Sequence, residues 1–292
     1  MENATTFFAT LSAWLWGWPM IILLLGTHVF LTIRLRFPQR KLLTAIRLSV
    51  QRDSSQQGDV SQFGALATAL AATIGTGNII GVATAVALGG PGAVFWCWLT
   101  GVFGISTKYA EALLAIKYRV RSEGGRMQGG PMYALERGLG WRKMGVLFAV
   151  FTALAAFGIG CTVQANAIST IMHASYGIGT EVCGVVLTLL TAAVIIGGVS
   201  SISKVCSMLV PLMALLYVLG CVYILQANAS YVVPALRLIV RSAFSPEAAG
   251  GGFAGGSVIM AARYGIARGL FSNESGLGSA PIVAAAARTK NP

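Results

Sequence analysis

Ala71-Ala72-Thr73-Ile74-Gly75-Thr76-Gly77-Asn78-Ile79-Ile80-Gly81 lies inside a stretch, Val60 to Thr107, without a single charged residue. That stretch is too long for one membrane helix, which needs ~20 residues. The cluster Gly89-Gly90-Pro91-Gly92 breaks it in two, so the quoted run falls within a span near Phe63–Leu88. Backbone that leaves helical geometry at membrane depth survives only inside protein or beside a water-filled cavity. Here two glycines enclose a hydroxyl residue and an amide follows. If the helix breaks at this point, the N–H groups opening its second half, with their dipole, suit a carboxylate. The freed carbonyls of the first half suit a hard cation such as Na+, and the cation candidates are Ala71, Thr73, Ile74 and Asn78. A second reading is a close-packing face, because Gly77 and Gly81 also form a Gly-x-x-x-Gly pair. A nucleotide loop does not fit: the spacing is not G-x-G-x-x-G.

The rest of the chain supports a bilayer as its solvent. Its 292 residues include only 10% charged ones, against ~25% in soluble domains. The mean hydropathy is +0.74. Seven spans are expected: Trp14–Ile33, Phe63–Leu88, Ala93–Ile116, Met144–Met172, Thr180–Val199, Val205–Gln226 and Gly256–Ala287. Trp14, Trp16 and Trp18 form an aromatic belt at the start of the first. Two loop segments, Gln39–Val50 and Tyr231–Ala243, read as surface helices lying in the interface. No Lys or Arg precedes Arg34, so the N-terminus lacks the basic region of a signal peptide.

The net charge of +12 follows topology rather than nucleic-acid binding. Arg34, Arg36, Arg40, Lys41, Arg47 and Arg52 follow span one. Lys117, Arg119, Arg121, Arg126, Arg137, Arg142 and Lys143 follow span three, and Lys204, Arg288 and Lys290 fall on the same side. Only Arg237 and Arg241 fall opposite. The expected location is a bacterial inner membrane, with the N-terminus outside and the C-terminus cytoplasmic.

Span seven repeats the signal of the opening run. Phe271-Ser272-Asn273-Glu274-Ser275-Gly276-Leu277-Gly278-Ser279-Ala280-Pro281 puts polar residues, two glycines and a proline into an apolar helix. A carboxylate there costs ~2.5–3.5 kcal/mol on insertion scales, so Glu274 needs a cavity or a partner such as Arg263 or Arg268. Paired interruptions in two spans point to a transporter site. In span four, Gln164 and Asn166 either join helices or line a cavity, and Phe157, seven residues before Gln164, shares its helix face. Lys108 and Glu111, three apart, read as an intrahelical ion pair. The five cysteines read as small buried hydrophobes, and His28 and His173 stand apart, so no metal site is expected. Neither H-E-x-x-H nor G-x-S-x-G occurs, and an enzyme ranks last.

Gly75–Asn78, Gly89-Gly90-Pro91-Gly92-Ala93-Val94-Phe95-Trp96-Cys97-Trp98 and Phe271–Ser279 together resemble the alanine/glycine:cation symporter family, the sodium:alanine symporters. The family usually has Met where this chain has Cys97. The resemblance covers nearly the whole chain and implies an all-α, polytopic leucine-transporter-type fold. Residues 1–33 would be a peripheral helix, 34–62 a basic cytoplasmic loop, 63–230 the first inverted repeat of five helices, and 231–292 an external interfacial helix and the broken helix opening the second repeat. It implies Na+-coupled, or alternatively H+-coupled, uptake of a small neutral amino acid such as alanine or glycine, with no organic cofactor. By motif, Gly75, Thr76, Gly77 and Asn78 would hold the substrate carboxylate and a cation. Phe271, Ser272 and Asn273 would meet the amino group, and Phe157 and Gln164 would bound the side-chain pocket. Members have eleven spans, so the expectation is a truncated chain. The alternative is a non-transporting fragment or subunit that needs a separate C-terminal half.

Overall fold

The structure is a computed structural model, and it describes residues 2–50, 58–245 and 258–289. Arg52, Lys290 and the start of expected span seven lie outside these. The described chain forms fourteen α-helices and one small β-hairpin. It divides into two compact units, and the chain passes from one to the other several times, once between Thr76 and Gly77.

One unit comprises Met1–Leu42, Gly77–Ala110 and Tyr217–Leu277. It contains α1 (Glu2–Leu15), α2 (Trp18–Arg34), α5 (Val82–Gly89), most of α6 (Gly92–Lys117), α12 (Ala229–Phe244) and α13 (Val258–Asn273). Its apolar core joins α2 to α13 through Ile21, Ala262, Ile266 and Leu270, with Trp96 of α6 packed against them. Small residues let α6 and α13 approach closely. A Cβ on Gly265 would sit 2.3 Å from the Ala93 carbonyl oxygen, and one on Gly269 would sit 2.0 Å from Thr100 Oγ1. The Gly89–Trp98 motif has a packing role of the same kind. A Cβ on Gly92 would meet the Ser242 carbonyl at 2.5 Å, and Phe95 stacks edge-on with Phe244 at 5.0 Å.

The other unit comprises Leu43–Thr76, Glu111–Leu216 and Gly278–Pro292. It holds most of α3 (Leu42–Val50), α4 (Gln62–Thr73), the antiparallel pair β1 (Val120–Arg121) and β2 (Met127–Gln128), α7 (Pro131–Leu139) and α8 (Arg142–Ala155). It continues through α9 (Val163–Tyr176), α10 (Thr180–Ile195), most of α11 (Gly198–Ala227) and α14 (Ala280–Ala284). α4 begins with Ser61 as its N-cap, whose hydroxyl accepts from Gly64 N–H at 3.0 Å. Ser61 and Gly64 also mark the approach of α11, since a Cβ at Gly64 would lie 2.2 Å from Ser203 Oγ.

Three helical stretches among the described residues are long and apolar enough to cross a membrane: Thr5–Arg34, Arg142–Tyr176 and Gly198–Ala227. The bent pair Gln62–Thr73 and Gly77–Gly89 makes a fourth. Of the remaining expected spans, α10 is apolar but only 16 residues long. The described part of α13 is likewise 16 residues long, with six residues buried. α6 mixes polar residues into its length, and Thr100, Ser106 and Thr107 are buried on it.

Other expectations shift in detail. The tryptophans do not open the first span, because helix precedes them and the apolar stretch starts at Thr5. The two loop segments expected to be helical contain α3 and α12. Of the five cysteines only Cys183 is buried, while Cys161 is exposed; an exposed apolar thiol is compatible with a lipid-facing surface.

Candidate functional site

The opening run is broken. α4 ends at Thr73, Ile74 turns to extended backbone (φ −89°, ψ 95°), and helix resumes as a π segment, Gly77–Gly81, before α5. The chain bends by 46° across the break. Thr76 N–H, which in an unbroken helix would donate to residue 72, donates to Gln164 Oε1 at 3.3 Å. The Thr76 hydroxyl donates to the same oxygen at 2.6 Å. Gln164 therefore replaces the helix's own acceptor and holds the first half-helix open at its end. Gly75 makes room for it: a Cβ there would lie 2.9 Å from Gln164 Nε2. The Thr73 hydroxyl donates back to Ala69 O at 2.8 Å.

The packing-face reading of Gly77 and Gly81 fails on distance. Their added Cβ atoms would lie 3.5 Å from Phe271 Cε1 and 3.9 Å from Arg268 Cδ, ordinary van der Waals separations. The close Gly-x-x-x-Gly approach belongs instead to Gly265 and Gly269 of α13.

After the break, Gly77, Asn78, Phe271 and Ser272 come together in one unit. The Ser272 hydroxyl donates to Asn78 Oδ1, and the Phe271 ring lies over Gly77. The second interruption is present too. α13 ends at Asn273, Glu274 adopts a left-handed φ of +53°, and Gly276 and Gly278 follow at +88° and +78°. Asn273 Oδ1 accepts from Ser275 N–H at 2.9 Å, which fixes the amide orientation. Its buried Nδ2 has no partner among the described residues.

Span four departs from expectation. Between α8 and α9 the residues Ala156–Thr162 form a second π segment. A π turn advances fewer degrees per residue than an α turn, so the seven-residue spacing no longer puts Phe157 and Gln164 on one face. Phe157 is 77% exposed, whereas Gln164 is half-buried against the break. The sequence signal for this segment was Phe157-Gly158-Ile159-Gly160. Asn166 is exposed on α9.

A site that sequence reading missed lies at the ends of α4 and α14. Val60 and Ala287 form a parallel bridge. Arg119 Nη1 donates to the carbonyls of Ala285 (3.1 Å) and Ala287 (2.8 Å), and Nη2 to that of Thr289 (2.8 Å). Burial lowers the Arg119 pKa from its ordinary value, and the nearby Asp59 carboxylate opposes that shift. The segments meeting here are Gly58–Gln62, Arg119–Gln128 and Ala285–Thr289.

An apolar chain of several spans with an interrupted, amide-braced helix is the build of a membrane carrier. The chain belongs to the sodium:alanine symporter family, whose model matches residues 1–292. It is 52% identical over 97% of its length to an uncharacterized transporter of Haemophilus influenzae, of which it covers 63%. It is 51% identical over 97% of its length to the sodium/alanine symporter AgcS of Methanococcus maripaludis, again covering 63%. With a Bacillus subtilis protein named "Probable sodium/glutamine symporter GlnT" it shares 37% identity over 95% of its length and 58% of that protein's. The chain thus spans about three fifths of the length of the curated relatives it matches.

Proposed function

We propose that the chain binds a small neutral amino acid together with Na+ at the Ile74–Gly81 break, as the substrate-handling part of an inner-membrane symporter. The observation that carries this reading is the break itself, held open by Gln164 rather than closed by packing. The substrate carboxylate lies against Gly75, Thr76, Gly77 and Asn78 and takes N–H donors other than that of Thr76, which Gln164 Oε1 holds; Phe271 and Ser272 adjoin Gly77 and Asn78. Na+ takes oxygens from Ala71, Thr73, Ile74 and Asn78. The leucine-transporter-type arrangement of seven spans, with its repeat boundary at 230–231, the N-terminus outside and the C-terminus cytoplasmic, belongs to the same proposal. Alanine is the first substrate to test because a relative at 51% identity is named for it. The relative named for glutamine shows that the family model alone does not select the side chain.

The test is binding and uptake of radiolabelled alanine by the purified full chain, in detergent and in proteoliposomes, with Na+ exchanged for choline. Na+-dependent binding and accumulation are expected. Binding that ignores Na+, or none at all, overturns the proposal. Binding without accumulation establishes the alternative, a substrate-binding but non-transporting chain.

A further inference from the structure

The two interrupted spans share a feature beyond their breaks: the short helices on one side of each break are tied to one another. α4 has 12 residues and α14 only 5. Asp59 and Val60, just before α4, donate their N–H groups to Ala286 O at 2.9 and 3.2 Å, and Arg288 N–H returns to Val60 O at 3.0 Å. Gln62 Nε2 donates to Arg288 O at 3.3 Å. The backbones touch so closely that a Cβ on Gly58 would lie 2.6 Å from Arg288 Cα. Asp59 also reaches the hairpin, where its Oδ2 accepts from Met127 N–H at 2.8 Å. Arg119, between α6 and that hairpin, closes the arrangement by gripping three carbonyls of the segment after α14.

Three properties distinguish this join from ordinary structural packing. It is mostly hydrogen bonds: among the described residues, its buried apolar cluster is Val60, Ala65 and Ala286, with Ala287 alongside. Hydrogen bonds of this kind can be exchanged for water, whereas an interdigitated core cannot be parted at comparable cost. Each tied helix is also joined at its other end to non-helical backbone, at Ile74–Gly75 and at Glu274–Ser279, so each can pivot without bending a helix. Finally, the grip is on carbonyls of the non-helical segment after α14, and a guanidinium can release them one at a time.

We infer that Arg119 is a positioning residue of the transport cycle, which holds the segment after α14 where it bridges to the start of α4 and so keeps that end of the substrate path shut. The inference rests on the symport reading. With the latch closed, a substrate at the break has no exit on the side of the basic loops. Release requires Arg119 to let go of Ala285, Ala287 and Thr289 and the Val60–Ala287 bridge to part.

The test is a disulfide across the bridge. In Val60→Cys/Ala287→Cys the oxidised protein should bind alanine in Na+ as the reduced protein does, yet lose at least tenfold of its uptake, which dithiothreitol restores. Oxidised protein that transports at the reduced rate overturns the latch, and so does a pair that never cross-links, since the bridge then is not as described. The second measurement needs no transport. Ala286→Cys is labelled with a membrane-impermeant thiol reagent, with and without Arg119→Ala, and the signal of the parent carrying its five native cysteines is subtracted. Labelling should rise tenfold or more with Arg119→Ala and to an intermediate rate with Arg119→Lys, which keeps the charge but not the fork. An unchanged rate overturns the latch. If Arg119→Ala fails to fold, the disulfide pair decides alone. The two proposals fail differently: a wild-type chain without alanine binding removes symport while the labelling still reads the latch, and normal uptake through a cross-linked bridge removes the latch while symport stands.

Discussion

Gly77–Gly81 and Gly265–Gly269 have the same Gly-x-x-x-Gly spacing and opposite uses. On α13 the missing side chains let another helix in, with a backbone oxygen 2.3 Å and a hydroxyl 2.0 Å from where a Cβ would stand. At the break the nearest atoms would be 3.5 and 3.9 Å away, a ring carbon of Phe271 and the Cδ of Arg268. The spacing therefore says only that backbone could be approached. Whether a helix, an open segment or a ligand takes up the offer depends on what stands opposite. The α13 pair faces Ala93, Cys97 and Thr100 of α6, small residues that complete the fit. The pair at the break follows Thr76, whose hydrogen bonds go to Gln164.

The sharpest way to break this comparison is Gly265→Ala. A backbone carbonyl cannot rotate away from the new methyl, and Trp96 Cβ blocks the other side at 2.7 Å. A loss at the upper end of the ~1–3 kcal/mol range for overpacking is expected, read as a fall in the thermal midpoint of the detergent-solubilised protein or as failure to accumulate. A neutral result would mean that α6 and α13 do not pack as described. Gly77→Leu should do the reverse. The fold should survive with a nearly unchanged midpoint, while Na+-dependent alanine binding falls by more than ~10-fold, about 1.4 kcal/mol. Gly77→Ala, whose methyl meets only ordinary contacts, should fold normally. Loss of folding in Gly77→Leu together with loss in Gly77→Ala would return the break to the packing class.

Thr76→Val asks a finer question. It removes the 2.6 Å hydroxyl bond to Gln164 and leaves the 3.3 Å backbone bond in place. One net hydrogen bond is worth ~0.5–1.5 kcal/mol, so the alanine Kd should weaken roughly 3- to 10-fold with little change in yield. An unchanged Kd would show that Gln164 does not hold the break in its binding geometry.

These contrasts also show what could be read from sequence. The break at Ile74 was legible because glycine, threonine and asparagine in the middle of an uncharged span contradict a continuous helix. The second interruption was legible from Glu274, Gly276 and Gly278 for the same reason. The location of the close-packing face was not, because α13 and α6 lie far apart in the chain and Gly265-Ile266-Ala267-Arg268-Gly269 looks unremarkable without its partner. The face shared by Phe157 and Gln164 was misread because periodicity assumes one helix type throughout, and a π segment resets the phase. Gln164 was visible as a misplaced amide, but its acceptor role toward Thr76 depends on two segments 88 residues apart. Arg119 read as one more positive-inside charge, since nothing local marks a guanidinium that reaches carbonyls 166 to 170 residues away.

The smallest effect concerns glycines that neither pack nor break a helix outright. Gly158 and Gly160 lie in the second π segment, and a Cβ on either would meet nothing within 4 Å. If they merely sit in helical backbone facing lipid, alanine should fit and remove the ~0.5–1 kcal/mol penalty that glycine carries in a helix interior. Gly158→Ala should then raise the thermal midpoint slightly and leave alanine binding within about twofold. Yet π turns concentrate at functional positions, and this one ends two residues before the side chain that holds the first break. A Gly158→Ala protein that is more stable but binds alanine tenfold more weakly would place these glycines with the break, because the added stability would come from resisting a change that Gln164 must follow. Equal binding at higher stability would place them with neither class, and glycine alone would then be no guide to the site even within an interrupted span.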